Sequence, residues 1–246
     1  MKFFQIIGLA ILAVLLGSCR SAQLKTPVVF DPLSLGPAGP TLKKYLERSE
    51  VSPKRTQPLV SAVKIEASLP GLNKKGEMLA EKTVAPNGHI SYEMKSFTGD
   101  NLIKTKVIGL YLSAEQEASE TTPPAITPQN YKFKFKRKDS LGDRIAVIFE
   151  LIPIKKVIGL FKGELWLEEN TGVELRQAGR LARNPSVVFK SADFSRDFET
   201  RDGVTFLSKV DYQAETRVIG KAILKMEFEP PKPISETIPH LNPSRF

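Results

Sequence analysis

The chain has 246 residues, 41% of them hydrophobic and 26% charged, with a formal net charge of +9 and one cysteine. That is ordinary globular composition, enough for a sizeable core in one domain with appendages or at most two. A lone cysteine excludes an intramolecular disulfide, and a basic balance without long Lys/Arg blocks leaves nucleic acid, anionic lipid or plain solubility as its meaning.

The first residues choose among these. Lys2 precedes an apolar run from Phe3 to Leu16, interrupted only by Gln5 and Gly8. The run is shorter than the ~20 residues that span a bilayer, and small residues follow it, as in a secretory signal peptide. A membrane-anchored or buried helix is the competing reading. Export argues against nucleic acid as a partner. Residues 1–18 are therefore read as the signal, and residues 19–40, with four prolines and no periodicity, as a flexible tether.

The body follows. Residues 41–50 read as a short helix, with Thr41 as N-cap and Leu42, Tyr45 and Leu46 on one face. Residues 59–69, 77–85 and 89–97 have strand length and partial alternation, and Pro86-Asn87-Gly88 makes a hairpin of the last two. The segment "LIKTKVIGLYL" after them suggests a further short strand, and residues 113–120 a helix capped by Ser113. In residues 131–138, Tyr131, Phe133 and Phe135 alternate with Lys132, Lys134, Lys136 and Lys138, which only a period-two strand accommodates. Residues 143–154 are apolar on both faces, as in a central strand. The stretch "FKGELWLEENTGVELRQAGRLAR", residues 161–183, is two strands around Asn170-Thr171-Gly172, with Gly172 in the left-handed region. A further hairpin turns at Arg201-Asp202-Gly203, expected to be of the same type, and residues 220–229 close the body. "KVIGLY", "KVIGLF" and "RVIGKA" recur at unequal spacing and read as strand edges with a glycine bend. Residues 230–246 form a proline-rich tail.

Catalytic signatures are few. No nucleophile elbow or phosphate loop occurs, and His89 and His240 lack the Cys/His cluster a metal site needs. Neither an enzyme, a metal nor a cofactor is expected. Residues 193–202 interleave carboxylates with arginines, as a solvated strand face does; Trp166 reads as a covered structural residue or a stacking platform. The lysines at 132, 134, 136 and 138 are a solvated face or a contact for anionic headgroups, worth ~1 kcal/mol per charge at a membrane surface.

Two resemblances sharpen this reading. Leu16-Gly17-Ser18-Cys19 resembles a bacterial lipobox, whose cysteine becomes the acylated first residue of the mature protein; ordinary cleavage nearby is the alternative. In Gram-negative lipoproteins an aspartate after that cysteine favours retention at the inner membrane. Arg20 stands there, so the resemblance implies the periplasmic side of the outer membrane, with a stable multi-chain anchor. Gly163, Leu165, Trp166, Leu167, Glu168, Thr171, Gly172 and Arg176 resemble the strand–turn–strand motif of the outer-membrane lipoprotein-sorting proteins, the LolA/LolB superfamily.

That likeness implies a mainly β fold over residues 41–229: a curved antiparallel meander forming an incomplete β-barrel of about eleven strands, with two or three short helices over its concave face. It further implies an apolar cavity receiving lipid or an acylated lipoprotein, at ~0.8 kcal/mol per buried methylene, in a monomer. Tyr131, Phe133, Phe135, Val147, Phe149, Leu165, Leu167, Val173 and Leu175 are the candidate lining. The other expectation is an envelope interaction or assembly protein whose cavity is filled by its own side chains.

Overall fold

The structure is a computed structural model and describes residues 30–50, 56–120, 125–157, 159–183, 189–217 and 220–233. Contacts divide the chain at Phe30, and every element below belongs to the unit Asp31–Phe246. A 3-10 turn at Pro32–Ala38 runs into helix α1, Gly39–Glu50. Strands β1 (Leu59–Leu69), β2 (Lys74–Val84) and β3 (Ile90–Gly99) form a first meander. A continuous helical stretch follows: α2 (Asn101–Ile103), a π turn (Lys104–Ile108) and α3 (Gly109–Ser119). The second meander comprises β4 (Tyr131–Leu141), β5 (Arg144–Pro153), β6 (Phe161–Glu168), β7 (Glu174–Leu181), β8 (Phe189–Arg201), β9 (Val204–Thr216) and β10 (Lys221–Phe228). A two-residue strand, β11, Lys232–Pro233, ends the described chain.

All eleven strands lie in one antiparallel sheet. Its order is β3-β2-β1-β10-β9-β8-β7-β6-β5-β4, with β11 beside β1, so the β1–β10 pair joins the two meanders. β3 and β4 remain as edges, and the sheet is a curved, incomplete barrel. Glycines set the turns. Gly88 (φ 89°) donates to the Ala85 carbonyl across the β2–β3 turn. Asp202 and Gly203 both have positive φ, so the β8–β9 loop is a mirror-image type I′ turn rather than the expected glycine-closed type I.

The helices lie on one face of the sheet. Ile103, Val107, Ile108 and Leu112 pack with Val63, Ile65, Met78, Val210, Leu224 and Met226 in one apolar cluster. Residues 102–112 had the composition of a strand, yet they are helical. Asp100 caps α2 by accepting from the Leu102 N–H (2.8 Å), and a 103/107/112 spacing buries one helical face. The helix thus starts at Asn101, leaving Ser113 inside it instead of at its N-cap. "KVIGLY" is likewise helical, whereas Gly159 (φ 91°) and Gly220 (φ 70°) bend the chain just before β6 and β10.

Three further expectations are corrected. Order begins before Thr41. Asp31 accepts from the Leu33 N–H, Ala38 and Gly39 are buried, and a Cβ on Gly39 would lie 2.6 Å from the Pro32 carbonyl. The fixed φ of proline suits such a turn as well as it suits a tether. Thr41 does not cap α1; its hydroxyl donates to the Glu169 carbonyl at 2.9 Å, so a tertiary contact claims it. Lys232 and Pro233, assigned to the tail, pair with β1. Residues 1–18, Cys19 and 234–246 lie outside the described residues.

Candidate functional site

Directly opposed residues of neighbouring antiparallel strands share a face. Starting from Val210 in the helix-covered cluster, the register defines a lateral row across ten strands: Phe97, Met78, Ile65, Met226, Val210, Arg196, Gln177, Leu165, Phe149 and Phe135. Eight of these ten are apolar, and the two polar ones, Arg196 and Gln177, are neighbours at the centre. A parallel row on the same face contains Ala67, Leu224, Tyr212, Phe194, Gly179, Gly163, Leu151 and Phe133. This face is the candidate site.

The predicted lining distributes over it unevenly. Tyr131, Phe133, Val147, Phe149, Leu165 and Leu167 are buried on this face. Their surroundings are the chain's own: Tyr131 stacks with Phe133 and Phe161 at 6.5 and 5.8 Å between ring centroids, and its hydroxyl accepts from the Phe161 N–H. Phe135 belongs to the row but stands on edge strand β4 and is 44% exposed. Val173 is half-buried in the turn before β7. Leu175 is a correction. It packs with Ala146, Ile148 and Trp166 on the opposite face, because a register shift opposite Trp166 and Leu167 breaks the alternation of β7.

The lysine stripe is broken in the same way. A shift between Phe135 and Arg137 lets Lys136 bulge, so Lys132 and Lys134 keep the outer face while Lys138 sits opposite Val147 on the covered face. Lys136 pairs with Glu164 and Lys138 with Glu169. Trp166 is covered, with Arg137 and Arg176 over its ring at 5.4 and 5.5 Å. Glu164 gathers Lys136, Arg137 and the Trp166 indole N–H; burial alone would raise its pKa, but these donors outweigh it and hold it at about 2.

The β6–β7 turn seats α1. Lys44 donates to the Asn170 carbonyl (2.6 Å) beside the Thr41 contact, and Gly172 (φ 68°) lies so close that a Cβ would be 2.8 Å from Lys44 Cβ and the Thr41 carbonyl. Glu168 fixes the turn by accepting from the Thr171 N–H and hydroxyl. The glycine of the sequence motif is therefore needed for helix docking as well as for the turn.

Polar groups on the covered face were not foreseen. Residues 193–202 read as a solvated face, and Asp193 and Asp197 do turn outward, pairing with Arg180 and Arg176. Arg196 turns inward between them. It lies 4.8 Å from the Phe194 ring centre and hydrogen-bonds Tyr111, and no described carboxylate stands within salt-bridge distance. Glu174, opposite Leu167, is pushed up to about 7 by burial, against the opposing hydrogen bond from Gln177 (2.7 Å) and the charge of Arg196. Burial also raises Tyr45 on α1, which Glu174 faces, and takes Tyr212 to about 12. Nearer β2 and β3, Lys82 pairs with Glu115 of α3 at 2.6 Å, and Tyr92 donates to the same carboxylate. Burial raises Glu115, but Lys82 and Tyr92 outweigh it and the pKa falls below the usual range.

Two open cavities lie away from the predicted lining. One, of about 550 Å³, is bounded by residues that include Glu66, Ser68, Lys75, Glu77 and Lys225. The other, of about 750 Å³, is bounded by Ile152, Pro153, Lys156, Lys162, Gly179, Arg180, Leu181, Ala182, Asp193 and Phe194. Among the described residues no cluster of three or more His, Cys, Asp or Glu could hold a metal ion, and no helix is long and apolar enough to cross a membrane.

No protein-family model matches the sequence, and no curated protein matches it. Solved structures do. A LolA superfamily protein from Nitrosomonas europaea superposes at a TM-score of 0.40 with 13% identity, over 80% of this chain and 94% of the other. A DUF1329 family protein from Desulfovibrio piger gives 0.41 and 10%, over 81% and 94%. A domain described as an outer membrane lipoprotein-sorting protein, from Vibrio parahaemolyticus, gives 0.43 and 11%, over 81% and 94%. At such scores and identities these likenesses say nothing about ligand or partner.

Proposed function

We propose that this chain is a lipoprotein anchored through Cys19 on the periplasmic side of the outer membrane, where it binds lipid or an acylated lipoprotein on the helix-covered face. The observation that supports the reading is the ten-strand row: an open sheet places eight apolar side chains in one line on the face that the helices cover. An acyl chain on such a face gains ~0.8 kcal/mol per methylene withdrawn from water. In this reading affinity and helix movement do the work.

A second reading has its own support. Six of the nine candidate lining residues are already buried by this chain's own atoms on the covered face, as an envelope interaction protein with a self-filled core requires. One experiment separates the two. The full chain carrying Cys19→Ala is purified and examined by native mass spectrometry, then denatured and extracted for lipid. Stoichiometric co-purifying acyl ligand, displaced by crowding the face with Leu165→Trp, supports carriage. A ligand-free chain that takes up no added fatty acid or phospholipid rules it out in favour of the self-filled protein.

A further inference from the structure

The larger open cavity belongs to neither reading as it stands. It sits at the ends of β5 to β8, and four of its walls, Ile152, Lys162, Arg180 and Asp193, occupy positions facing away from the helices: Lys162 opposes Arg180, which opposes Asp193, each one residue out of step with the inward row. Paired glycines explain why there is room. Gly163 and Gly179 are direct cross-strand partners, and a Cβ on either would strike the other strand's backbone at 2.0 and 2.4 Å. The two strands are pressed together at that point, and on their inward face no side chain fills the space between Leu151 and Phe194.

The walls are of two kinds. Ile152, Pro153, Leu181, Ala182 and Phe194 are apolar. Lys156, Lys162 and Arg180 are cationic against one acid, Asp193, which is already held by both Arg180 guanidinium nitrogens at 2.8 and 3.0 Å. Lys156 and Lys162 are exposed and make no ion pair with any described carboxylate. Outside the cavity, Lys132 stands opposite Ile152, and Ile154 is 48% exposed on the same loop. An apolar trough with surplus positive charge at its rim complements one class of molecule: a chain bearing an anionic head. Its volume of about 750 Å³ lies in the ~300–1,000 Å³ range of small-molecule sites.

We infer that this cavity binds an anionic amphiphile, the alkyl chain lying against Ile152, Leu181 and Phe194 and a phosphate or carboxylate head meeting Lys156 and Lys162. Lying at the strand ends, it joins Gly179 and Phe194 of the helix-covered row to the outward-facing Lys162 and Arg180, and it does not depend on the proposal above. Either head satisfies the same two ammonium groups, so the source of the anion is left to the assay.

The full chain with Cys19→Ala is titrated by calorimetry with dodecyl phosphate, laurate, dodecyl maltoside and inorganic phosphate, each amphiphile below its micelle concentration. Both anionic amphiphiles are expected to bind more tightly than the maltoside, and inorganic phosphate far more weakly. Lys156→Gln/Lys162→Gln should weaken the anionic amphiphiles by about tenfold, the size expected of two solvent-screened charges, and added salt should do the same. Maltoside binding and thermal stability should not change, since both lysines are exposed. A preference for phosphate assigns a phospholipid-type head and a preference for laurate a fatty acid; either supports the site. Equal affinity for maltoside, or unchanged anionic binding in the variant, overturns it. If acyl ligand still co-purifies in that case, only this inference falls; if no amphiphile binds and none co-purifies, both fall.

Discussion

Glu174→Gln isolates the most unusual titratable group of the covered face. In the folded chain this carboxyl lies opposite Leu167, faces Tyr45 from α1 and Arg196 from β8, and accepts from Gln177; burial takes its pKa from the ordinary 4.5 to about 7. A raised carboxyl pKa means that folding favours the protonated form. The associated stabilisation is fully present below pH 4.5 and is lost as pH rises through about 7. At 1.36 kcal/mol per pKa unit the limit is about 3 kcal/mol, and partial access to water brings the expected value to about 2 kcal/mol. The amide introduced by the substitution keeps an oxygen acceptor for the Gln177 side chain but cannot ionise. Urea unfolding of both chains from pH 4 to pH 8.5 reads the effect, since other titrating groups cancel in the difference. The chains should be nearly equal at pH 4.5, with the variant more stable by about 2 kcal/mol at pH 8. A difference that stays flat across that window, or one of opposite sign, refutes the burial of this carboxyl.

Other perturbations test the supports of the helices and the outer face. Gly172→Ala places a methyl against Lys44 and Thr41 at a φ of 68°; it should cost about 2 kcal/mol or more and speed proteolysis within residues 39–50. Glu115→Leu leaves Lys82, whose side chain is 10% exposed, without its partner, and should cost about 3–5 kcal/mol, whereas Lys82→Met/Glu115→Leu should recover most of that loss in a double-mutant cycle. Glu164→Gln removes a carboxylate held at about 2. Its stabilisation is present above pH 4.5 and disappears as pH falls toward 2, so the variant should be about 1–2 kcal/mol less stable at neutral pH, after discounting for the exposed Lys136, and no different at pH 2 by acid-unfolding curves.

The strands were legible because half-buried strands alternate. Residues 59–69 coincide with β1, and the other strand segments from 77–85 through 220–229, the helical 102–112 apart, locate β2 to β10 within a few positions. Thr171-Gly172 marked the β6–β7 turn, though not that α1 would rest on it. What alternation could not convey is where it fails. Bulges at Lys136 and opposite Trp166 and Leu167 moved Lys138 and Leu175 to the other face, and nothing in the local sequence marks them. The helix at 113–120 was found, but its first part, residues 102–112, read as a strand because Ile103, Val107 and Ile108 are β-branched. Asp100 and the 103/107/112 spacing were signals available to find it. Arg196 and Gln177 were missed because a period fixes which residues share a face, not which face is covered. The open cavity depends on strand ends and on a glycine pair 16 residues apart, which only the register brings together.

The two helical seams are not equivalent, and their chemistry says which would yield to a ligand. α3 is held by the Lys82–Glu115–Tyr92 group, whose separation strands a buried ammonium at a cost of about 3–5 kcal/mol. α1 is held, beyond Leu42, by donors on Thr41 and Lys44 reaching backbone carbonyls of the β6–β7 turn, each worth about 1 kcal/mol net because water can replace them. Beneath α1 lies Glu174, the carboxyl that burial disfavours as an anion. Above pH 7 that carboxyl is ionised against its surroundings, so lifting α1 lets water reach it and relieves part of the cost. The same water does nothing for Glu115, which its partners already keep charged. Parting α1 from the β6–β7 turn is therefore the less costly movement at neutral pH, and the strand it would bare is β6, which carries Leu165 and Leu167.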